Sequence, residues 1–311
     1  MAQFIARERE RYRVRALCQA LDFSPATFYR SLKEPEAAVD QQLPALEAAF
    51  WRHSRRYGSR RLRAELQAEG QPIGRHKVRR LMRAQGLRAI EPRSFVPRTT
   101  NCAHSSGYSP SLLLGRPLPP TRPGEIWVAD LSYLPLLSGG FAYLATVMDL
   151  CSRLILGWQV GTTMAADLVI GALTKALLRR QGKVRGVIAH SDRGRQYAAR
   201  EYRRLLPQYG SAQSMSRAQE TYDNAFAESL FSRYKAELLE GGSFRDAAEA
   251  TLESFAYIEG YYNRVRRHSG LGYQSPEGFE RSYFQRLTEA ADFDNEPRKG
   301  VDPKQHSCLT S

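Results

Sequence analysis

Three carboxylates in this chain stand where their types and spacing could do chemistry. Asp130 lies in the apolar run Glu125-Ile-Trp-Val-Ala-Asp130-Leu-Ser-Tyr-Leu134. Asp192 closes Val187-Ile-Ala-His-Ser-Asp192, just before the turn signal Arg193-Gly194. Glu228 sits within the helical segment Asp223-Asn-Ala-Phe-Ala-Glu228-Ser-Leu-Phe-Ser-Arg-Tyr-Lys235, and thirty-five residues lie between Asp192 and Glu228. Two strand-borne aspartates followed by a helix-borne glutamate are the donors of a carboxylate cage for two divalent cations. Mg²⁺ suits such hard oxygen ligands and keeps several waters, so a few carboxylates suffice; Mn²⁺ can stand in its place. Two such ions roughly 4 Å apart activate one oxygen and stabilise another in phosphodiester chemistry, a reaction that needs a very large acceleration. Asp130 is assigned as the bridging ligand, Asp192 as completing one metal position and Glu228 the other.

The elements around these residues are readable from periodicity. Strands are predicted at 126–134, 141–149 and 153–160, with Ser138-Gly-Gly140 turning the first into the second. A helix follows at about 165–181, then a buried strand at 186–190, a helix at 198–206, a short strand at 211–215, the Glu228 helix and a further helix over 245–263. Three antiparallel strands followed by alternating helices and strands is the order of a ribonuclease-H-like α/β core. On the Glu228 helix, Ala227, Leu230, Tyr234 and Leu238 form an apolar stripe, while Asn224, Glu228 and Lys235 share another face. That face offers a ligand, a polar neighbour and a cation for a DNA phosphate. Asp149 is read as capping the turn near Ser152, Asp223 as a helix cap, and His190 as structural.

The N-terminal third has a different character. The chain of 311 residues has a net charge of +14, and residues 1–100 hold 21 Lys+Arg against 10 Asp+Glu, with arginine outnumbering lysine 19 to 2. Arginine suits phosphate and base-edge recognition, so a polyanion partner is expected, with this third as its main footprint. Residues 10–33 read as a helix-turn-helix-like pair, with Thr27, Tyr29 and Arg30 facing DNA. Residues 43–90 repeat the theme with three helices. In the last of these, Val78, Leu81 and Met82 face a core, and Arg75, Arg79, Arg80 and Arg83 face outward as a groove-reading or phosphate-tracking surface. The expected organisation is a helix-turn-helix-like segment at 1–40, a helical DNA-binding domain at 41–90, a proline-rich linker at 91–124, a catalytic core at 125–288 and a disordered tail at 289–311. Four scattered cysteines form no C-x-x-C pair, so no structural zinc is expected. No apolar run of membrane-spanning length and no signal-peptide core occur, and a cytoplasmic, nucleoid-associated location is expected.

At these residues the chain resembles bacterial insertion-sequence transposases of the retroviral-integrase superfamily, of the second-reading-frame (OrfB) type. The likeness rests on Trp127-Val-Ala-Asp130-Leu-Ser-Tyr133, Asp149-Leu-Cys-Ser-Arg153 with Gly157-Trp158, and His190-Ser-Asp-Arg-Gly-Arg-Gln-Tyr197. It continues through Tyr222-Asp-Asn-Ala-Phe-Ala-Glu228-Ser, Lys235-Ala-Glu-Leu238, Tyr262-Asn-Arg-Val-Arg-Arg-His268 and Leu271-Gly-Tyr-Gln-Ser-Pro276. Upstream, Tyr57-Gly-Ser-Arg-Arg61 and Val78-Arg-Arg-Leu-Met82 resemble the family's helix-turn-helix. The chain departs from the usual pattern at Arg217–Thr221 and at Ala198-Ala199. The resemblance implies metal-dependent nicking and joining of double-stranded DNA at element terminal repeats and target. It also implies the triad Asp130, Asp192 and Glu228 with two Mg²⁺ ions, and Lys235 as a DNA-contacting helper. Arg264 and Arg267 in the basic Asn263-to-His268 segment are further DNA-contact candidates. Two element ends must be held together, so a homo-oligomer on DNA is expected, with an upstream-frame (OrfA) protein or fusion as partner. Two alternatives remain open: a catalytically impaired DNA-binding regulator, and a nuclease acting on hybrids.

Overall fold

The computed structural model describes residues 1–32, 40–92, 108–217 and 225–295, apart from the side chains of Arg30 and 291–295. Three short helices open the chain: α1 (Ala2–Glu8), α2 (Val14–Ala20) and α3 (Pro25–Leu32). Ile5, Cys18 and Phe28 close a small core among them. The sequence reading anticipates α2 and α3 but not α1, which contributes one buried residue and has little apolar period. Next come α4 (Leu43–Arg52), α5 (Ser59–Ala68) and α6 (Arg75–Ala84). They pack around Leu46, Phe50, Tyr57, Leu62, Leu66, Val78, Leu81 and Met82.

The core begins with β1 (Ile126–Pro135), β2 (Phe141–Asp149) and β3 (Ile155–Gly161), as the alternating apolar pattern predicts. The β1–β2 turn passes through Gly139 and Gly140 at φ of 84° and 78°, a backbone that side chains with a Cβ resist. Helix α7 (Ala166–Arg179), β4 (Ile188–Ser191), α8 (Arg200–Gln208) and β5 (Ala212–Met215) follow. The sheet order is β3-β2-β1-β4-β5, with β2 antiparallel to β1 and β3, and β4 parallel to β1 and β5. Parallel pairing requires the crossover that α7 supplies. At Gly157 a Cβ would come within 2.1 Å of the Ala172 carbonyl oxygen, so this glycine is what lets α7 lie directly on β3.

Helix α9 (Ala225–Leu239), α10 (Ala247–Phe255), a π-helical continuation (Ala256–Tyr262), a 3₁₀ turn (Ser269–Leu271) and α11 (Pro276–Asn295) complete the described fold. The sheet has two covered faces. Trp127 and Ala129 pack with α7 and α8, whereas Ile126, Val128 and Leu134 pack with α9 and the π-helical turn. This is the predicted ribonuclease-H-like core, with the all-α helix-turn-helix region before it.

Two features differ from the sequence reading. Residues 108–124, within the expected proline-rich linker, are fastened to the core. Leu113 is buried, the Ser109 hydroxyl donates to Gln213 (2.9 Å), and the Leu112 N–H donates to the Ser214 hydroxyl (2.9 Å). Their Pro and Ser content reads as linker because pairing with a distant strand leaves no local signal. In addition, α11 runs to Asn295, through the first residues of the expected tail. Its apolar residues are too sparse to show a period, and its first turns are held from outside by ion pairs of Arg179 to Glu277 (3.0 Å) and Arg180 to Glu280 (2.5 Å). Among the described residues no helix is long and apolar enough to cross a membrane.

Candidate active site and nucleic-acid face

The fold places Asp130 beside Asp192. In the parallel β1–β4 pair, Ala129 is in register with Ser191, so the two aspartates are the next residues along neighbouring strands. Period-two alternation puts Asp130 on the α9 face of β1, as the partition of its neighbours shows. Each carboxylate is half-buried and steadied by a main-chain donor: the Leu131 N–H to Asp130 (2.8 Å) and the Gly194 N–H to Asp192 (2.9 Å). Burial raises the Asp192 carboxyl above its ordinary pKa, partly offset by the Gly194 bond. The Tyr197 hydroxyl, within reach of both charges, is fully buried and without a hydrogen-bond partner among the described residues. Burial first, then the charges of Asp130 and Asp192, push this phenol well above its usual range. Sequence reasoning used Tyr197 only as part of a motif and missed its place against both carboxylates.

Glu228 and Lys235 share one face of α9, seven residues or roughly 10 Å along the helix from each other. Lys235 lies close enough to Asp130 to feel its charge: burial lowers its pKa while the Asp130 charge pulls it back up. Glu228 lies in the first turn of α9 and is exposed. Among the described residues no three His, Cys, Asp or Glu side chains stand at metal-ligand spacing. Asn224 and Asp223 lie outside the described residues.

Asp149 is a structural residue, as expected. It is buried and accepts hydrogen bonds from the main-chain N–H groups of Gly124 (2.6 Å), Cys151 (3.0 Å) and Ser152 (3.1 Å). His190 bridges β4 to the next strand through the hydroxyls of Ser214 (2.9 Å) and Ser216 (3.1 Å).

The α6 pattern holds in three dimensions: Val78, Leu81 and Met82 are buried, and Arg75, Arg79, Arg80 and Arg83 are exposed on the opposite side. Thr27 and Tyr29 of α3 are also exposed, while the Arg30 side chain is not described. Arg264 is exposed and stands 3.7 Å from Glu277.

Arg267 is partly exposed, with its guanidinium held by Glu65 of α5 and by the Tyr273 carbonyl (2.9 Å). It also takes part in the contact that docks α4–α6 on the core. There the Tyr57 hydroxyl accepts from the Arg267 N–H (2.7 Å) and donates to the Val265 carbonyl (3.2 Å). Arg61 donates to the Arg267 carbonyl (2.9 Å) and Arg56 to the Glu237 carbonyl (3.2 Å). Beneath this contact Arg266 and Glu237 form a buried pair, with the Tyr257 hydroxyl donating to Glu237 (2.8 Å). Burial pushes the Glu237 carboxyl up, but the Arg266 and Tyr257 bonds outweigh it and hold the group below its ordinary value.

Glu65 is held down further. His53, 3.3 Å away, and Arg267 lower its pKa from 4.5 to about 2 despite partial burial. A folded-state pKa below the unfolded one means that the unfolded chain binds more protons in between, so stability is lost as pH falls. The docking contact is therefore expected to weaken between pH 4.5 and about 2. Melting curves across that window should fall for the native chain and flatten for Glu65→Gln; parallel curves would exclude Glu65 as the titrating group.

Comparison with known proteins follows the same division. A model described as an integrase core domain matches residues 120–220, a second integrase core domain model matches residues 209–276, and an HTH-like domain model matches residues 38–95. Transposase InsF for insertion sequence IS3A of Escherichia coli (strain K12) is 38% identical over 285 residues, covering 89% of this chain and 97% of the relative. A 31 kDa protein of insertion element IS600 from Shigella sonnei is 38% identical over 273 residues, covering 86% and 99%. The simian T-cell lymphotropic virus intasome, solved with PP2A regulatory subunit B56 gamma, aligns over 86% of this chain and 80% of that chain at 12% identity and a TM-score of 0.40.

Proposed function

Because the chain belongs to the family of insertion-sequence transposases with an integrase core, we propose that it nicks double-stranded DNA at the element's ends and joins those ends to target DNA. In this reading Asp130, Asp192 and Glu228 hold the divalent metal. The observation that carries it is the in-register placement of Asp130 beside Asp192, under the α9 face that bears Lys235. The donors fit Mg²⁺ or Mn²⁺: two half-buried carboxylates, whose hard oxygens suit these ions, with the orphaned Tyr197 hydroxyl close enough to feel both charges. When bound, a pair of such ions supplies activation of the attacking oxygen and stabilisation of the leaving one.

The protein groups divide the remaining work. Asp130 and Asp192 are fixed by the sheet, so they cost little to organise. Glu228 is brought from α9 to complete the set. Lys235, close enough to Asp130 to share its field, holds a phosphate of the strand beside the carboxylates. Lys235→Ala is therefore expected to cut joining at least tenfold, while Mg²⁺ affinity by calorimetry changes by less than about threefold. A large loss of metal affinity would make Lys235 a support for the metal position instead.

The exposure of Glu228 favours a second reading, a DNA-binding regulator without catalysis. One experiment separates the two. The full chain is incubated with Mg²⁺ and a duplex carrying the element's terminal repeats, and nicked and joined products are resolved. Products support the transposase; binding with no product at any metal concentration supports the regulator.

Two ends must be held in one assembly, so at least two copies act on DNA. The exposed arginines of α6 contact phosphate more readily than they specify sequence. Fusion to the product of an upstream overlapping frame is expected to raise both end selectivity and transposition. Equal end selectivity for the chain with and without that fusion would remove the need for such a partner.

A further inference from the structure

Helix α5 has three faces. Leu62 and Leu66 enter the core of α4–α6, and Arg61 and Glu65 face the docking contact. The third face, Arg60, Ala64 and Gln67 with Arg63, follows i, i+3, i+4 and i+7 spacing and opens on a cleft of about 460 Å³. Arg75, the first residue of α6, and Tyr273, from the loop after the 3₁₀ turn, line the rest, and no carboxylate is among the lining residues. This arrangement is unfavourable for an empty surface. Three arginines line the cleft beside the N-terminus of a ten-residue helix, whose dipole already disfavours cations and whose cap, Gly74, offers no side-chain acceptor.

Tyr273 adds a second irregularity. It sits at φ of 63°, a conformation unfavourable for an aromatic residue. It is pinned there by its N–H to the His268 carbonyl (2.9 Å) and by Arg267 on its own carbonyl (2.9 Å). Backbone strain held in place by several bonds is characteristic of binding sites. Here the strained residue lines the arginine-rich cleft.

We propose that this cleft binds the sugar–phosphate backbone of DNA, and that it is a site built jointly by the helix-turn-helix and the C-terminal part of the core. The inference rests on the DNA reading above. The cleft is larger than one phosphate needs. It is also continuous with the outer face of α6, since Arg75, Arg79 and Arg83 follow i, i+4 and i+8. A strand leaving α6 would pass through it to the core. The guanidinium groups would take phosphate oxygens, Ala64 leaves room for close approach, and the Tyr273 ring would carry a sugar or base.

The test uses the full chain, a labelled duplex and fluorescence anisotropy over a series of salt concentrations, with EDTA present so that no strand chemistry enters. The double variant Arg60→Ala/Arg63→Ala is compared with Arg203→Ala/Arg204→Ala, which removes the same charge from exposed positions on α8. The cleft variant is expected to lower affinity by tenfold or more. Its slope of log affinity against log salt should become shallower by about 1.8, from two lost phosphate contacts. Tyr273→Gly, which removes the ring and relieves the backbone, is expected to melt no lower than the native chain yet bind severalfold more weakly; Tyr273→Phe should bind as the native chain does.

A cleft variant with the affinity and slope of the α8 control would overturn the proposal, and would leave an acidic peptide as the better occupant. Inorganic phosphate that raises the melting temperature of the native chain at concentrations where duplex saturates it would also overturn it, in favour of a free-anion site. Because binding is read without metal, failure here is distinguishable from failure of the catalytic reading, which is judged on products alone.

Discussion

Asp130→Asn and Asp192→Asn are each expected to bring nicking and joining below about 1% of the native level, with duplex binding kept within about twofold. Asp130 lies on β1 and Asp192 just after β4, and the strand pairing does not depend on either side chain, so the fold survives while the charge that holds a cation is lost. Glu228→Gln is expected to do the same from an exposed position, which makes it the sharper test: a loss there cannot be traced to packing. Retention of more than a few per cent of activity by any of the three would remove that residue from the set. Asp149→Asn should behave differently. It places an amide among three main-chain donors that now meet a carboxylate, at a cost of about 1–3 kcal/mol, and the folded fraction should keep its activity.

The second large effect concerns the buried Arg266–Glu237 pair. Both side chains are 2% exposed, so removing one leaves a desolvated charge without its partner, at a cost of about 3–5 kcal/mol. Arg266→Met and Glu237→Gln are each expected to lower the melting temperature by on the order of 10 °C. The double variant Arg266→Met/Glu237→Leu should recover part of that loss, since an apolar pair of similar volume carries no desolvation penalty. Calorimetric melts decide it, and single variants within about 1 °C of the native chain would show that the pair does not hold α9 to the segment that follows the π-helical turn. Since Glu237 is two residues from Lys235, a loosened pair should also slow joining at temperatures where the protein remains folded.

Most of the fold was legible because its elements carry their own signals. The alternating runs of β1 and β2 announce strands, Ser138-Gly-Gly140 announces their turn, and the Val78, Leu81 and Met82 spacing announces α6. The aspartates could be named from the strand-type runs that carry or precede them, but their adjacency depends on the β1–β4 register, which a crossover sets and no local pattern encodes. The segment Asn263-Arg-Val-Arg-Arg-His268 misleads for the opposite reason. Hydrophobicity would bury Val265 and expose its neighbours, yet Asn263 and Arg266 are buried and Val265 is exposed. Partners far along the chain reverse the rule: the Asn263 side chain exchanges two hydrogen bonds with the backbone of Ile155 (3.0 Å each), and Glu237 neutralises Arg266. Part of this basic run is thus a fastening between the helix-turn-helix and the core.

The most direct measurement is the anomalous scattering of Mn²⁺ in crystals of the chain bound to DNA carrying an element end. The expected map has metal peaks against the carboxylates of Asp130 and Asp192, with Glu228 drawn from its exposed position to complete the ligand set. Mn²⁺ bound elsewhere, or bound at Asp130 and Asp192 with Glu228 still turned to solvent, would contradict the three-carboxylate site.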